Sequence, residues 1–214
     1  LIALEEDIKK TGYVVLASEL KHAKKVNGHF ELTLNSSDKI QCNFLINASG
    51  LHTEDVANRI EEINLPKIKT VMYAKGHYYL YKKKNPFKHL IYPLPNSNGH
   101  GIHAGMDIEN NLRFGPNAKW VDSIEYSFDE NTLDEFCNSI KSYWINFDPS
   151  CLTPDYTGIR SKIVAEGEGS QDFEILDASD HGLENLIHLQ GIDSPGLTSS
   201  LSIATEVISK LGIH

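Results

Sequence analysis

The sequence predicts a mixed α/β (α+β) chain with a mostly antiparallel sheet in its middle. Three observations carry that prediction. Residues 1–66 alternate helix-like and strand-like stretches, residues 67–155 hold short segments rich in Tyr, Ile and Val between turns, and residues 156–214 return to strands closed by an amphipathic helix.

Leu1, Leu4 and Ile8 recur at helical spacing until Thr11-Gly12 ends the pattern. The apolar run Tyr13-Val14-Val15-Leu16 then reads as a buried strand. Phe30, Leu32 and Leu34 alternate with polar residues, Asn35-Ser36-Ser37-Asp38 supplies turn chemistry, and Ile40, Cys42 and Phe44 alternate again, which predicts a hairpin whose second arm continues into Leu45-Ile46-Asn47-Ala48-Ser49-Gly50. Thr53 is placed to cap a helix carrying Val56, Ala57 and Ile60, with Pro66 at its end.

In the middle, strands are expected over 70–81, 90–94, 101–104 and 112–114. A helix from Asn131-Thr132 uses Leu133, Phe136, Ile140 and Trp144 as its apolar stripe. Strands follow over 159–163, 173–176 and 186–190, with a Gly/Glu-rich loop over 166–171. A final helix over 198–211 would place Leu201, Ala204, Ile208 and Leu211 on one face.

Composition excludes several classes. The 214 residues, 40% hydrophobic and 23% charged, are those of an ordinary folded chain. A formal charge of -9 leaves no global basic field, and Lys82-Lys83-Lys84 before Asn85-Pro86 reads as a solvated turn, so nucleic acid is not an expected partner. Cys42, Cys137 and Cys151 are odd in number and far apart, which argues against a disulfide framework or a zinc site and favours a cytoplasmic setting. His100 and His103 have an HxxH spacing, but strand alternation would point them to opposite faces, so no metal site is expected. No apolar stretch approaches the roughly 20 residues of a spanning helix, and the opening residues are not a signal peptide. The chain begins without Met in an amphipathic helix, which suggests that the natural start lies elsewhere.

Seven segments in order carry a resemblance. They are Ile46-Asn47-Ala48-Ser49-Gly50-Leu51, Lys75-Gly76-His77-Tyr78-Tyr79, Ile91-Tyr92-Pro93-Leu94-Pro95, Gly101-Ile102-His103, Phe114-Gly115-Pro116-Asn117-Ala118, Asp155-Tyr156-Thr157-Gly158-Ile159-Arg160, and the run from Gly191 through Ile192-Asp193-Ser194-Pro195-Gly196-Leu197-Thr198 to Leu201. The chain resembles the L-2-hydroxyglutarate dehydrogenase/oxidase branch of the D-amino-acid-oxidase-like FAD flavoproteins. It departs from that pattern at His77, where Asn is usual, and at Ser161, where Pro is usual. The family's opening GxGxxG turn is missing from these residues, since Gly167-Glu168-Gly169-Ser170 sits in a late acidic loop.

The resemblance implies a partial FAD-binding domain over 1–66 and 156–214 and a substrate domain over 67–155. It implies FAD as cofactor and oxidation of a 2-hydroxy acid such as L-2-hydroxyglutarate, with electrons passed to a quinone or oxygen. Ala48, Ser49 and Gly50 would approach the FAD with a small-residue turn. Gly191, Ile192, Asp193, Ser194, Pro195, Gly196, Leu197 and Thr198 would form the loop beside the flavin, offering N–H groups at a helix start. For the acid, Arg160 would pair with the carboxylate and Lys75 with a second one, while Tyr79 and Tyr92 would donate hydrogen bonds. His103, with Arg160, is the candidate for the chemical step.

Each assignment has a plainer alternative: a simple strand-to-helix turn, a capped helix, tyrosines that pack a sheet, a surface lysine, a structural histidine. Two other functions stay open, a related FAD enzyme acting on an amino acid or glycerol 3-phosphate, and a non-catalytic remnant or subunit of a split flavoprotein. A fragment of this kind would pair with a separate N-terminal half or form a homodimer, because an apolar sheet face would otherwise be exposed. The parent enzyme is expected in the cytoplasm or associated with a membrane.

Overall fold

The computed structural model describes residues 1–94, 101–169 and 171–213. The first part of the chain forms α1 (Ile2–Lys9), β1 (Leu20–Val26), β2 (His29–Leu34), β3 (Lys39–Cys42), β4 (Leu45–Asn47) and α2 (Thr53–Ala57). The middle forms β5 (Met72–Tyr81), β6 (Ala104–Met106), β7 (Leu112–Phe114), β8 (Lys119–Val121), α3 (Leu133–Tyr143) and β9 (Leu152–Lys162). The last part forms β10 (Glu174–Leu176), α4 (Ala178–His181), β11 (Leu186–Gln190) and α5 (Ser200–Lys210). The mixed α/β character and the largely antiparallel pairing are as the sequence predicts.

Two compact units result, one of residues 1–69, 175–190 and 201–214, the other of 70–174 and 191–200. The division expected at 155/156 lies within β9, which runs unbroken from Leu152 to Lys162.

In the first unit β1, β2 and β3 form an antiparallel meander. Phe30 of β2 and Ala23 of β1 are fully buried, and Ala57, Ile60, Leu183 and Leu186 close over them. The hairpin of β2 and β3 is the expected one, but its second arm stops at Cys42. β4 belongs to another sheet, where it pairs in parallel with β11, Ile46 opposite Ile187. All five residues of β11 are buried, and its Leu and Ile residues are joined by two buried polar ones, His188 and Gln190.

Three expectations in this unit fail for identifiable reasons. Tyr13-Val14-Val15-Leu16 is not a strand: it has no ladder partner among the described residues, and Tyr13 and Leu16 are 93% and 81% exposed. An apolar run without a neighbour to receive its N–H and C=O groups gains nothing by extending. The helix at Thr53 has five residues with His52 at its N-cap, because the Thr53 hydroxyl is spent on Leu189 O at 2.7 Å. In α5 the buried position is Val207, whereas Leu201 and Ile208 face outward.

The second unit is built on β5. It pairs antiparallel with β9 along one edge and with β7 and β8 along the other, and β6 extends the sheet beyond β7. β7 and β8 leave a gap opposite His77, and the Asn117 side chain fills it by accepting from His77 N at 2.9 Å. α3 forms as the periodicity predicts. It buries Phe136, Cys137 and Ile140, with Trp144 packed at the edge, while Leu133 is 38% exposed. The segment 90–94 is not a strand but a single bridge from Ile91 to Ala104, and β8 is one the sequence does not announce.

Period-two alternation gives β5 two different faces. Tyr79 and Tyr81 project into an aromatic core with Phe114, Phe136 and Phe147. Ala74, Gly76 and Tyr78 project from the other face.

Candidate functional site

The register of β5 against β9 decides which side chains share that second face. Ala74 stands opposite Arg160 and Gly76 opposite Gly158, and beyond a bulge Tyr78 stacks on Tyr156, ring centroids 4.5 Å apart and 16° from parallel. A Cβ on Gly158 would meet nothing, so the surface there is open, whereas at Gly76 Pro116 packs so closely that a Cβ would lie 2.6 Å from its own Cβ. Ala104 faces the core, so by alternation the preceding His103 faces this side, where its ring lies 4.1 Å from that of Tyr92.

Charge on this face is unevenly settled. Arg113, opposite Leu80, is held by Asp107 and by Asp155 at 2.5 Å, which keeps its guanidinium firmly protonated. Lys162 reaches Asp193 at 2.6 Å. Arg160 between them has no carboxylate partner among the described residues. Burial raises the phenol pKa of Tyr78, helped by Tyr156 and opposed by the nearby Arg160 guanidinium, so Tyr78 stays a neutral donor. Burial likewise raises Tyr156.

The structure therefore brings together Tyr92, His103 and Arg160 of the expected residues. Tyr79 is not with them. It is 1% exposed on the core face, its hydroxyl bonded to Thr132 at 3.0 Å, and burial raises its pKa. Lys75 also projects from the core face, 5% exposed, with Glu125 at 3.9 Å. Both corrections follow from parity, since each is an odd number of residues from Gly76. Tyr78 and Tyr156 escape a reading of the sequence because the pairing register that stacks them together on the face of Arg160 joins positions far apart in the chain. Pro95, His100 and Ser170 lie outside the described residues.

Two further segments are the expected cofactor contacts. In the first unit β4 ends at Asn47, whose side-chain oxygen accepts from Ser49 Oγ at 2.6 Å, and Gly50 takes a φ of 59° that permits the sharp exit. Asn47, Ala48 and Ser49 line a cleft of about 620 Å³, with Leu20, Leu34 and Arg59 among its other walls. In the second unit the run from Gly191 is anchored to β9 twice, by the Lys162–Asp193 pair and at Gly191, where a Cβ would collide with Ile163. The helix starts at Ser200, later than expected, after a turn in which Thr198 and Ser199 hydroxyls both donate to Pro195 O. Leu197 and Thr198 are exposed, and their N–H groups have no protein acceptor among the described residues. Free N–H groups and a small-residue turn suit a group rich in carbonyl and phosphate oxygens. The Asp193 carboxylate is committed to Lys162, which leaves its backbone as the part of the residue the loop can offer.

Among the described residues no helix is long and apolar enough to cross a membrane.

Comparison with known proteins fits these features. L-2-hydroxyglutarate dehydrogenase of Arabidopsis thaliana mitochondria is 31% identical over 180 residues, covering 78% of this chain and 37% of the relative. A glycerol 3-phosphate dehydrogenase of Caloramator mitchellensis is 26% identical, covering 98% of this chain and 42% of its own length. Among solved structures, the reduced, FAD-bound L-α-glycerophosphate oxidase of Mycoplasma pneumoniae superposes with a TM-score of 0.81 at 17% identity, covering all of this chain and 54% of that one. The chain thus spans about two fifths to half of the proteins it matches. The family model described as FAD dependent oxidoreductase (DAO) matches residues 1–209, and the chain belongs to that family.

Proposed function

We propose that the chain supplies the substrate-facing sheet of an FAD-dependent oxidoreductase acting on a 2-hydroxy acid, the class that includes L-2-hydroxyglutarate. The observation that carries this reading is Arg160, a guanidinium with no carboxylate partner among the described residues, beside the open surface at Gly158. A bare cation on a half-buried sheet is suited to a carboxylate, which it grips through two parallel N–H donors. Tyr92 adds a hydroxyl donor, and His103 is the residue that takes the proton of the substrate hydroxyl. FAD, when bound, supplies the two-electron acceptor. Ala48, Ser49 and Gly50, and separately the loop from Gly191 to Thr198, would hold it with backbone groups.

The glycine-rich turn for the pyrophosphate would come from outside these residues, on the same polypeptide or on a separate one, and a homodimer would cover the open sheet face without supplying it. A second reading, with glycerol 3-phosphate as substrate, is favoured by the Caloramator relative.

The deciding experiment incubates the purified chain with excess FAD, follows the flavin's visible absorption through gel filtration, and then adds substrate without oxygen. A co-eluting flavin band bleached by L-2-hydroxyglutarate supports the proposal. Bleaching by glycerol 3-phosphate alone would move the function to the second reading, and a band that no substrate bleaches would sink both. If no flavin is retained, the same assay on the chain joined to the missing N-terminal segment of a relative decides.

A further inference from the structure

The turn that follows β4 is held by one buried side chain with every hydrogen-bonding position filled. Asn47 Oδ1 accepts from Ser49 Oγ at 2.6 Å and from Ser49 N at 3.3 Å, and Asn47 Nδ2 donates to Thr53 O at 2.9 Å. Its second N–H is left for His188 Nδ1, 3.0 Å away on β11 and paired with Asn47 in the parallel ladder. An amide has two acceptor sites and two N–H groups, so none is spare. Turning it over would set its N–H groups against the Ser49 N–H and its oxygen against Thr53 O. The backbone at Ser49 and Thr53 therefore fixes the amide, and the amide in turn fixes the state of the ring. Nδ1 must offer a lone pair, so His188 is neutral with its proton on Nε2. Burial and the neighbouring His181 of α4 both disfavour a charge on it. The Thr53 hydroxyl donates to Leu189 O at 2.7 Å, so β11 grips the far end of the turn as well.

We infer that His188 is a positioning residue for the turn from Ala48 to Gly50: its neutral Nε2–H tautomer orients the Asn47 amide, and that amide holds Ser49. His188 is fully buried, so it acts only through Asn47. The inference rests on the reading of this turn as a cofactor contact and adds to it a residue that touches no ligand.

Long-range proton–nitrogen spectra of the nitrogen-15-labelled chain at pH 7 test it on the unaltered protein, with the His188 signals identified by their loss in His188→Gln. A proton on Nε2 and a bare Nδ1 are expected. A proton on Nδ1, alone or with one on Nε2, would overturn the inference. Hydrogen exchange of the Ser49 amide adds a rescue test. His188→Gln keeps an acceptor for the Asn47 amide and should leave the exchange rate unchanged, whereas His188→Leu removes it and should raise the rate about three- to tenfold, the worth of one neutral hydrogen bond. A rate that rises equally in both variants, or in neither, also overturns the inference, and if His188→Leu does not fold the tautomer decides alone. FAD titration followed by visible absorption, on the chain joined where needed to the N-terminal segment of a relative, separates this from the cofactor reading. His188→Leu should weaken FAD binding and His188→Gln should not. Equal FAD binding in all three chains, with tautomer and exchange as expected, would sink the cofactor reading of the turn and leave the hold of His188 on it standing.

Discussion

The two faces of β5 are made by neighbouring residues with opposite fates. Tyr79 goes into the core against Phe128 and Phe136, its hydroxyl satisfied by Thr132. Tyr78 goes to the open side against Tyr156, its hydroxyl unclaimed by the described residues. Stability should depend on one face and ligand binding on the other, and the sharpest way to break that division is to truncate each tyrosine in turn. Tyr79→Ala should destabilise the protein by about 3–5 kcal/mol, the cost of an aromatic lost from a packed core. Tyr78→Ala should cost about 1 kcal/mol or less, the worth of one exposed-side ring stack. Urea denaturation of the two variants checks this, and comparable losses would mean that the open face is structural.

β11 is the limiting case, a strand without an open face. His188 sits in it fully buried, with Nδ1 3.0 Å from the Asn47 amide nitrogen. Burial pushes its pKa down from 6.5 to about 4, opposed by the hydrogen bond with Gln190 and reinforced by His181. The sign is that of a group held neutral: between those two values the unfolded chain binds the proton and the folded chain does not. Stability is therefore fully present above pH 6.5 and is lost as pH falls toward 4, by about 3 kcal/mol from this residue. Urea midpoints at pH 7 and pH 4.5 should differ accordingly, and His188→Gln should flatten the difference. His77, buried in the β5 core and likewise lowered mainly by desolvation, adds in the same direction.

The open face predicts the reverse pattern, binding lost without stability. Arg160→Gln should weaken carboxylate binding by ten- to a hundredfold, about 1.4–3 kcal/mol, the value of a charge-assisted pair. The unfolding midpoint should stay within about 0.5 kcal/mol, because no partner is orphaned. Calorimetric titration paired with denaturation separates the two, and a large loss of stability would show that the guanidinium has a structural partner.

Much of this is legible in the sequence where one face is buried and the period is long enough to repeat. α3 is announced by Phe136 and Ile140, β11 by its apolar run, and the β2–β3 hairpin by alternation about a polar turn. β1 is not legible because Lys21, Lys24 and Lys25 mask its alternation around the buried Ala23. Tyr13–Leu16 misleads because an apolar run states a wish for burial without naming a partner. The site divides in the same way. Arg160, Tyr92 and His103 can be picked from residue type, but only the register of β9 on β5 stacks Tyr156 on Tyr78 on the face of Arg160 and leaves Tyr79 and Lys75 on the other side. Register is a property of pairing, and a one-residue shift would exchange the two sets.

The smallest predicted effect is the most discriminating, since it removes a single oxygen atom from either side of the strand. Tyr79→Phe keeps the ring in the core and deletes the hydrogen bond to Thr132, whose hydroxyl still donates to Asp129 O at 2.7 Å. Because Thr132 is not left wholly unsatisfied, the loss should be about 1 kcal/mol, near the net value of one neutral hydrogen bond. Tyr78→Phe deletes a hydroxyl that no described residue uses, so stability should not change while the affinity for a 2-hydroxy acid falls several-fold. If Tyr78→Phe altered stability and left binding intact, the stacked pair would be packing rather than recognition, and Arg160 would be left as the open face's main contact with its ligand.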